Sequence, residues 1–213
     1  MTSVGYKLLM KVNTADGWRP LADFSKIPAK TIASILIGSM QKLALKVGYV
    51  SVNLNRQQLL TSEINEALIY VQNLLRPLKL VVELTEEDNP VEINFEDLQQ
   101  ALVNYQLRGI ELSLDDVGTG LNQLDNVDRF MPYLSELKFA LQNFEESVFD
   151  QEIQDKIVFL RDLAQKNNLR FILEGIESEE EDQLLNKMNI TLRQGYYYGK
   201  PHILKLLDDD PDN

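Results

Sequence analysis

The feature that most constrains this fold is an alternation of apolar, strand-like runs with segments of helical periodicity along the 213 residues. Such an alternation favours a parallel sheet whose strands are joined by crossover helices. The candidate strands are residues 6–12, 48–54, 78–84, 109–115, 136–141, 170–175 and 192–199. They are apolar nearly throughout, which is typical of strands covered on both faces. The pattern therefore predicts a TIM-like α/β barrel, and an open doubly wound sheet is the structural alternative.

Helices are expected between these strands, because apolar residues recur there at three- and four-residue spacing. The expected helices cover residues 32–43, 60–75, 95–105, 153–163 and 178–188. Pro77 ends the second of them, since a residue before proline is driven out of the helical region. Ser178 and Glu181 have the spacing of a capping box that opens the last one.

The composition bounds the organisation and excludes several classes of function. We expect one domain over residues 1–205 and an acidic, disordered tail over residues 206–213. A net charge of -12 argues against binding to a nucleic-acid polymer. The chain has no cysteine and a single histidine, His202, which excludes disulfides and zinc sites of the His/Cys kind. No apolar run approaches membrane-spanning length, so we expect a soluble, cytoplasmic protein without a membrane partner.

Polar side chains follow nearly every candidate strand after the first. In a barrel the carboxyl ends of the strands converge on one mouth, where binding sites are built. The residues at those ends are Asn53, Glu83, Glu86, Asp115, Asp116, Lys138, Glu174, Glu177 and Gln194. So many carboxylates cannot all stay ionised at close range without a cation. Oxygen ligands around Mg, Mn or Ca, with a lysine alongside, suit metal-assisted phosphodiester hydrolysis. The alternative is a polar rim without chemistry.

Six segments that occur in order carry a resemblance to a known family. They are "SVNLN", "LVVELTE", "LSLDDVGTG", "ELKFA", "ILEGIES" and "QGYYYGKP". Together they resemble the EAL domain family, the cyclic-di-GMP phosphodiesterases of bacteria. The resemblance covers nearly the whole chain and implies a TIM-like barrel of EAL type. It also implies a site with two Mg or Mn ions that hydrolyses cyclic-di-GMP to the linear dinucleotide.

The resemblance assigns a role to individual residues. The implied metal ligands are Asn53, Glu83, Asp115 and Asp116. Lys138 matches the lysine near the metal-bound water, and Glu174 matches the carboxylate that helps to activate this water. Gln194 matches a glutamine of the substrate site. Glu86 matches the residue that stabilises the loop at 117–124, which in the family couples the metal site to a dimer interface.

The chain departs from the family pattern at three site positions. The motif strand usually reads E-x-L-x-R, whereas the matching stretch here is "KLLMK", from Lys7 to Lys11. Lys7 thus replaces a metal-binding glutamate. Lys11 replaces an arginine that contacts the substrate phosphate, which keeps the charge but loses the bidentate fork. Ala140 stands where the family usually has an aspartate. The family also has a strand before the motif strand, so a barrel that lacks its first strand, with an edge covered by a partner, is a further alternative.

Lys7 is expected to act as an internal cation in place of a metal. An ammonium cannot ligate a divalent ion, and at about 4 Å it repels one by several kcal/mol even at an effective dielectric of about 20. We therefore expect Lys7 to pair with Glu83 or Asp115, and Mg or Mn to bind weakly or not at all. The metal ligands would then be vestigial. The alternative is a shifted strand that points the Lys7 ammonium into solvent.

Two functions remain open from the sequence. The lost glutamate, arginine and aspartate favour a degenerate, inactive EAL domain that serves as a protein-interaction module or as a cyclic-di-GMP sensor. The retained acidic ligands favour a weak metal-dependent cyclic-di-GMP phosphodiesterase, in which Lys138 and Glu174 would be the catalytic residues. In either case we expect a homodimer or a complex with another protein.

Overall fold

The computed structural model describes residues 4–15, 17–20, 27–86 and 93–205. The tail at 206–213, which was expected to be disordered, lies outside the described residues. The chain divides into two compact units. Unit 1 comprises Met1–Glu83, Asn89–Glu111 and His202–Asn213, and unit 2 comprises Leu84–Asp88 and Leu112–Pro201. A single domain over residues 1–205 stays a prediction.

The described strands confirm the predicted α/β class. They are β1 (Gly5–Leu8), β2 (Lys11–Thr14), β3 (Gly17–Pro20), β4 (Tyr49–Leu54), β5 (Lys79–Leu84), β6 (Glu111–Leu114), β7 (Glu136–Ala140), β8 (Arg170–Glu174) and β9 (Leu192–Arg193). Within the described ranges, seven of them form a parallel sheet in the order β1-β4-β5-β6-β7-β8-β9. The order follows the chain without reversal, as in a barrel, whereas a doubly wound sheet reverses at a switch point.

The described helices lie between these strands. They are α1 (Ala29–Leu43), α2 (Arg56–Leu59), α3 (Ser62–Leu74), α4 (Phe95–Arg108), α5 (Leu124–Phe130), α6 (Gln151–Lys166) and α7 (Glu179–Lys187). Five of them lie close to their expected positions, and two short ones, α2 and α5, were not expected. The capping box of α7 is confirmed, because Ser178 Oγ accepts from the Glu181 amide at 3.2 Å and the Glu181 carboxylate accepts from the Ser178 amide at 3.0 Å. None of the helices in the described part of the chain is long and apolar enough to cross a membrane.

Two of the expected strands were wrong in extent. The expected strand at 6–12 ends at Leu8, and Lys11 instead begins a hairpin of β2 and β3. The hairpin turn is closed by Thr14, whose hydroxyl donates to the Gly17 carbonyl at 2.8 Å, while Gly17 adopts a φ of +92° that favours glycine. The expected strand at 192–199 ends at Arg193, because the chain then enters a series of turns.

Unit 1 is held by helix-on-helix packing beside its strands. α1 packs against α3, and α3 packs against α4; each helix has fully buried apolar side chains, such as Met40, Leu68 and Leu102. Each such burial contributes about 1.5–3 kcal/mol. The buried Gln72 side chain connects α3 to β5. Its Oε1 accepts from the Leu80 main-chain amide at 2.7 Å, and its Nε2 donates to the Leu78 carbonyl at 3.0 Å.

Unit 2 has its core between α6 and the strands β7 and β8. The helix buries one face, which includes Ile153, Ile157 and Leu160, and it packs on both strands. Every residue of β7 is buried. A charged residue on β7 is therefore surrounded by protein, and Lys138 at its centre requires a compensating charge.

Candidate functional site

Lys7 and Glu83 form an ion pair within unit 1. Lys7 Nζ lies 2.8 Å from Glu83 Oε2, and the two side chains are only 14% and 1% exposed. A carboxylate buried this deeply stays ionised only beside a cation or several donors. This pair is one of the two that the sequence analysis expected, and the ammonium does not point into solvent. The role of Lys7 as a substitute for a metal ion stays a prediction.

Asn53 and Lys11, two further predicted site residues, also belong to unit 1. Lys7 is in register with Ser51 on β4, so Asn53, two residues further along, lies on the same face of the sheet. Asn53 is exposed at the end of its strand. Lys11 is half-buried and pairs with Pro20 in the hairpin. The metal-binding role of Asn53 and the substrate-binding role of Lys11 stay predictions.

Lys138 is the centre of a charged cluster in unit 2. Its Nζ contacts Glu174 Oε1 and lies 3.6 Å from Asp115 Oδ1. All three side chains are buried. The strands position them, because β7 and β8 pair in parallel with Ala140 opposite Glu174. Ala140 is buried, and its methyl side chain supplies no carboxylate at that place on β7.

The turn after β6 holds Asp115 and Asp116 in different environments. Asp115 is buried and its amide donates to the Leu84 carbonyl at 3.1 Å. Asp116 is half-buried and has a φ of +49°, a left-handed conformation that is uncommon outside glycine. Its carbonyl accepts from the Thr119 amide at 3.1 Å and from the Thr119 hydroxyl at 2.7 Å. Such backbone strain is frequent at functional sites, where the surroundings hold it in place.

Asn122 is a positioning residue that the sequence analysis missed. Its buried side-chain amide donates to the carbonyls of Leu84, at 3.0 Å, and Asp115. It thereby joins the end of β5 to the turn that carries the aspartates. The signal in the sequence was a polar residue directly after the "VGTGL" turn, but the same residue would also suit an exposed loop.

Glu86 contacts the loop after β6 through its main chain. Its carbonyl accepts from the Leu121 amide at 2.8 Å. Gly120 has a φ of +43°, and a Cβ at this position would lie 2.3 Å from the Glu86 carbonyl oxygen, so only glycine permits this approach. The predicted stabilisation of the loop by the Glu86 side chain stays a prediction.

Gln194 lies at the start of the turns that follow β9. It is exposed, and its amide donates to the Leu173 carbonyl at 2.9 Å while its carbonyl accepts from the Ile176 amide at 3.2 Å. Gly195 allows this close approach, since a Cβ there would lie 2.1 Å from the Ile176 carbonyl oxygen. Glu177 and His202 are exposed as well.

The buried carboxylates could serve as metal ligands, but two of them are in contact with lysine ammonium groups. Glu83, Asp115 and Glu174 could each offer an oxygen to a divalent ion. The Glu83 oxygen is instead in contact with the Lys7 ammonium, and the Glu174 oxygen with the Lys138 ammonium. The positive charge of the Lys7 ammonium would repel a divalent ion at the same Glu83 oxygen, so the residues present do not fit a metal ion bound there.

Solved structures share this fold. The structure described as "PaMucR Phosphodiesterase, c-di-GMP complex" matches with a TM-score of 0.72 and 22% identity, over 93% of this chain and 89% of that chain. The manganese and cyclic-di-GMP complex of Klebsiella pneumoniae BlrP1 matches with a TM-score of 0.67 and 20% identity, over 80% and 43% of the two chains. These likenesses confirm the predicted TIM-like barrel fold.

The sequence matches define the family. The EAL domain family model matches residues 4–201, so this chain belongs to the EAL domain family. The cyclic di-GMP phosphodiesterase PdeR of Escherichia coli (strain K12) is 33% identical over 156 residues, which are 71% of this chain and 23% of PdeR. The chain spans about a quarter of the length of the curated relatives PdeG and PdeR.

Proposed function

We propose that this chain is a degenerate EAL domain without cyclic-di-GMP phosphodiesterase activity, which acts as a protein-interaction module or a cyclic-di-GMP sensor. The observation that carries the proposal is the ion pair of Lys7 with Glu83. Lys7 occupies the motif position at which the family resemblance implies a metal-binding glutamate. A reaction that needs two divalent ions is slowed severely when an ammonium replaces a ligand of one of them.

The alternative function is a weak metal-dependent cyclic-di-GMP phosphodiesterase. It is supported by the buried cluster of Lys138, Asp115 and Glu174, which retains the residues that the resemblance places near the attacking water. In this alternative Mg or Mn would bind through Asp115 and Asp116, and Lys138 and Glu174 would be the catalytic residues. Lys138 could donate a hydrogen bond to the oxygen of the attacking water, and Glu174 could accept a proton from this water.

We expect little or no conversion of cyclic-di-GMP to the linear dinucleotide by the purified protein in the presence of Mg or Mn. The assay is chromatography of the products, with a Glu174→Gln variant beside the wild type. Equal traces of product from both proteins would indicate a contaminating enzyme. Turnover near ~1 per second, an ordinary enzymatic rate, that disappears in Glu174→Gln would establish the alternative.

Calorimetry with cyclic-di-GMP separates the two inactive roles. A sensor binds the nucleotide without converting it, and an interaction module does not bind it. Repeating the titration with and without Mg or Mn shows whether binding depends on a metal.

We propose that the edge of β1 takes part in association with a second copy or with another protein. β1 is the terminal strand of the described sheet, and Val4, Tyr6 and Leu9 beside this edge are 47%, 38% and 53% exposed. An apolar sheet edge is a template for pairing with another chain.

We expect light scattering to show a homodimer, or a pull-down to recover a protein partner. The substitution Tyr6→Lys is expected to weaken whichever association is found. A lysine on an edge strand opposes strand addition because its charge must be desolvated. Tyr70→Lys is the matched control, since Tyr70 is 59% exposed on α3. A wild type that stays monomeric at high concentration and recovers no partner would contradict the proposal.

A further inference from the structure

The carboxylate of Asp182 on α7 joins two residues of the segment that carries Gln194. Asp182 Oδ1 accepts from the Tyr198 hydroxyl and from Arg193 Nη1, the latter at 2.5 Å. Its other oxygen accepts from the Asn186 side-chain amide at 3.2 Å. One carboxylate on a helix is thus bonded to residues on both sides of Gln194.

The Arg193 guanidinium is fixed on all its nitrogens. Nε donates to the Ile190 carbonyl at 2.6 Å, and Nη2 donates to Asn186 Oδ1 at 2.7 Å. Nη1 reaches the Asp182 carbonyl at 3.2 Å as well as its carboxylate. Because Arg193 immediately precedes Gln194, these bonds hold the main chain at the start of the segment.

The hydrogen bonds that the described residues provide to the chain between Arg193 and Tyr198 are main-chain bonds, to β8, to the loop after Glu174 and within the segment itself. Its side chains make ring contacts: the Lys200 ammonium lies 5.8 Å from the centre of the Tyr196 ring, and the centres of the Tyr197 and Tyr198 rings are 5.2 Å apart. The Tyr197 amide donates to the Ile176 carbonyl at 3.1 Å, and the Tyr198 amide donates to the Gly195 carbonyl at 3.1 Å. Tyr196 and Tyr197 are exposed. A segment with exposed side chains and few side-chain anchors opens easily unless its ends are fixed.

We propose that Asp182 is a positioning residue, which sets the placement of Gln194 by holding Arg193 and Tyr198 on one carboxylate. The proposal rests on the proposed function only in that Gln194 would face the bound nucleotide. Asp182 has no contact with the nucleotide in this proposal and acts through the segment alone.

The protonation states suit this arrangement at neutral pH. Burial, followed by the hydrogen bond to Asp182, raises the pKa of the Tyr198 hydroxyl to about 12. The hydrogen bond from Tyr198 is the largest cause that lowers the pKa of the Asp182 carboxyl, and Arg193 adds to it. The hydroxyl therefore stays a donor and the carboxylate stays an ionised acceptor, which is the stronger kind of hydrogen bond.

Amide hydrogen exchange on the full chain tests the placement directly. We expect exchange of the Gln194, Tyr197 and Tyr198 amides to accelerate at least about tenfold in Asp182→Ala, which is a loss of about 1.4 kcal/mol in opening free energy. Asp182→Asn keeps a neutral acceptor and should fall between the wild type and Asp182→Ala. Gln183→Ala is the matched control, because it removes only a surface bond to Glu179 on the same helix. Unchanged exchange in a folded Asp182→Ala would overturn the proposal.

Calorimetry with cyclic-di-GMP supplies the second measurement. If the wild type binds, Asp182→Ala should bind at least about tenfold more weakly at a similar melting temperature, with Asp182→Asn between them. Faster exchange with unchanged affinity would overturn the positioning role. If the wild type does not bind, the sensor function fails, and the exchange result alone decides whether Asp182 holds Gln194. Should Asp182→Ala not fold, Tyr198→Phe removes a single hydroxyl and is subject to the same outcomes.

Discussion

Replacement of Lys138 by alanine is expected to lower the free energy of unfolding by about 3–5 kcal/mol, the loss that is typical when one partner of a buried ion pair is removed. Lys138 is 1% exposed, and its ammonium contacts Glu174 and lies 3.6 Å from Asp115. Without it, two buried carboxylates lose a compensating charge. Denaturation by urea, followed by circular dichroism, measures the change.

A second substitution distinguishes loss of charge compensation from loss of packing. If the effect comes from the uncompensated carboxylate, adding Glu174→Gln to Lys138→Ala should recover part of the lost stability, since one buried negative charge is removed. Glu152→Gln serves as the control for an exposed pair, because Glu152 and Lys156 form a surface ion pair on α6 at 2.8 Å. We expect at most about 0.5 kcal/mol there. A Lys138→Ala protein within about 1 kcal/mol of the wild type would contradict the prediction.

The fold was largely predictable because its pattern is regular over long stretches. The helix over Gln151–Lys166 has apolar residues at helical spacing, and the strands over Lys79–Leu84 and Arg170–Glu174 are short and mostly apolar. The hairpin of β2 and β3 was missed because the apolar run at 6–12 continues across the break after Leu8. Asp16-Gly17 in the sequence is the turn signal that could have revealed it. Helix α5 was missed because seven residues are too few for a periodic pattern.

The candidate site was predictable only where residues lie on a strand or directly after one. A parallel sheet makes Glu83, Asp115 and Lys138 part of one pattern, and the charge of Lys7 makes a carboxylate its expected partner. Asn122 and Asp182 follow no such rule. Both act by hydrogen bonds between a side chain and a distant loop, and such contacts depend on the folded course of the chain rather than on local spacing.

Substitution of Lys7 by glutamate is expected to create a response to Mg or Mn that the wild type lacks. The change removes the ammonium that lies 2.8 Å from Glu83 and places a second carboxylate beside it. Two buried carboxylates raise each other's pKa and destabilise the fold until a cation compensates them. At a metal concentration of about 100 times the Kd, binding to the native state adds about 2.7 kcal/mol, which corresponds to a rise in Tm on the order of 5–10 °C for a chain of this size.

The measurement is a metal titration of the wild type and Lys7→Glu side by side, by calorimetry and by melting temperature. Lys7→Ala separates loss of the ammonium from gain of a ligand, because it uncovers Glu83 without adding an oxygen. We expect it to be less stable than the wild type and to gain less stability from metal than Lys7→Glu.

A parallel titration with KCl at matched ionic strength accounts for screening of the charges by salt. Phosphodiesterase activity should stay low in Lys7→Glu, since Lys11 and Ala140 still depart from the family pattern. If the wild type binds two divalent ions tightly, or if both proteins respond to metal identically, Lys7 does not substitute for a metal ion.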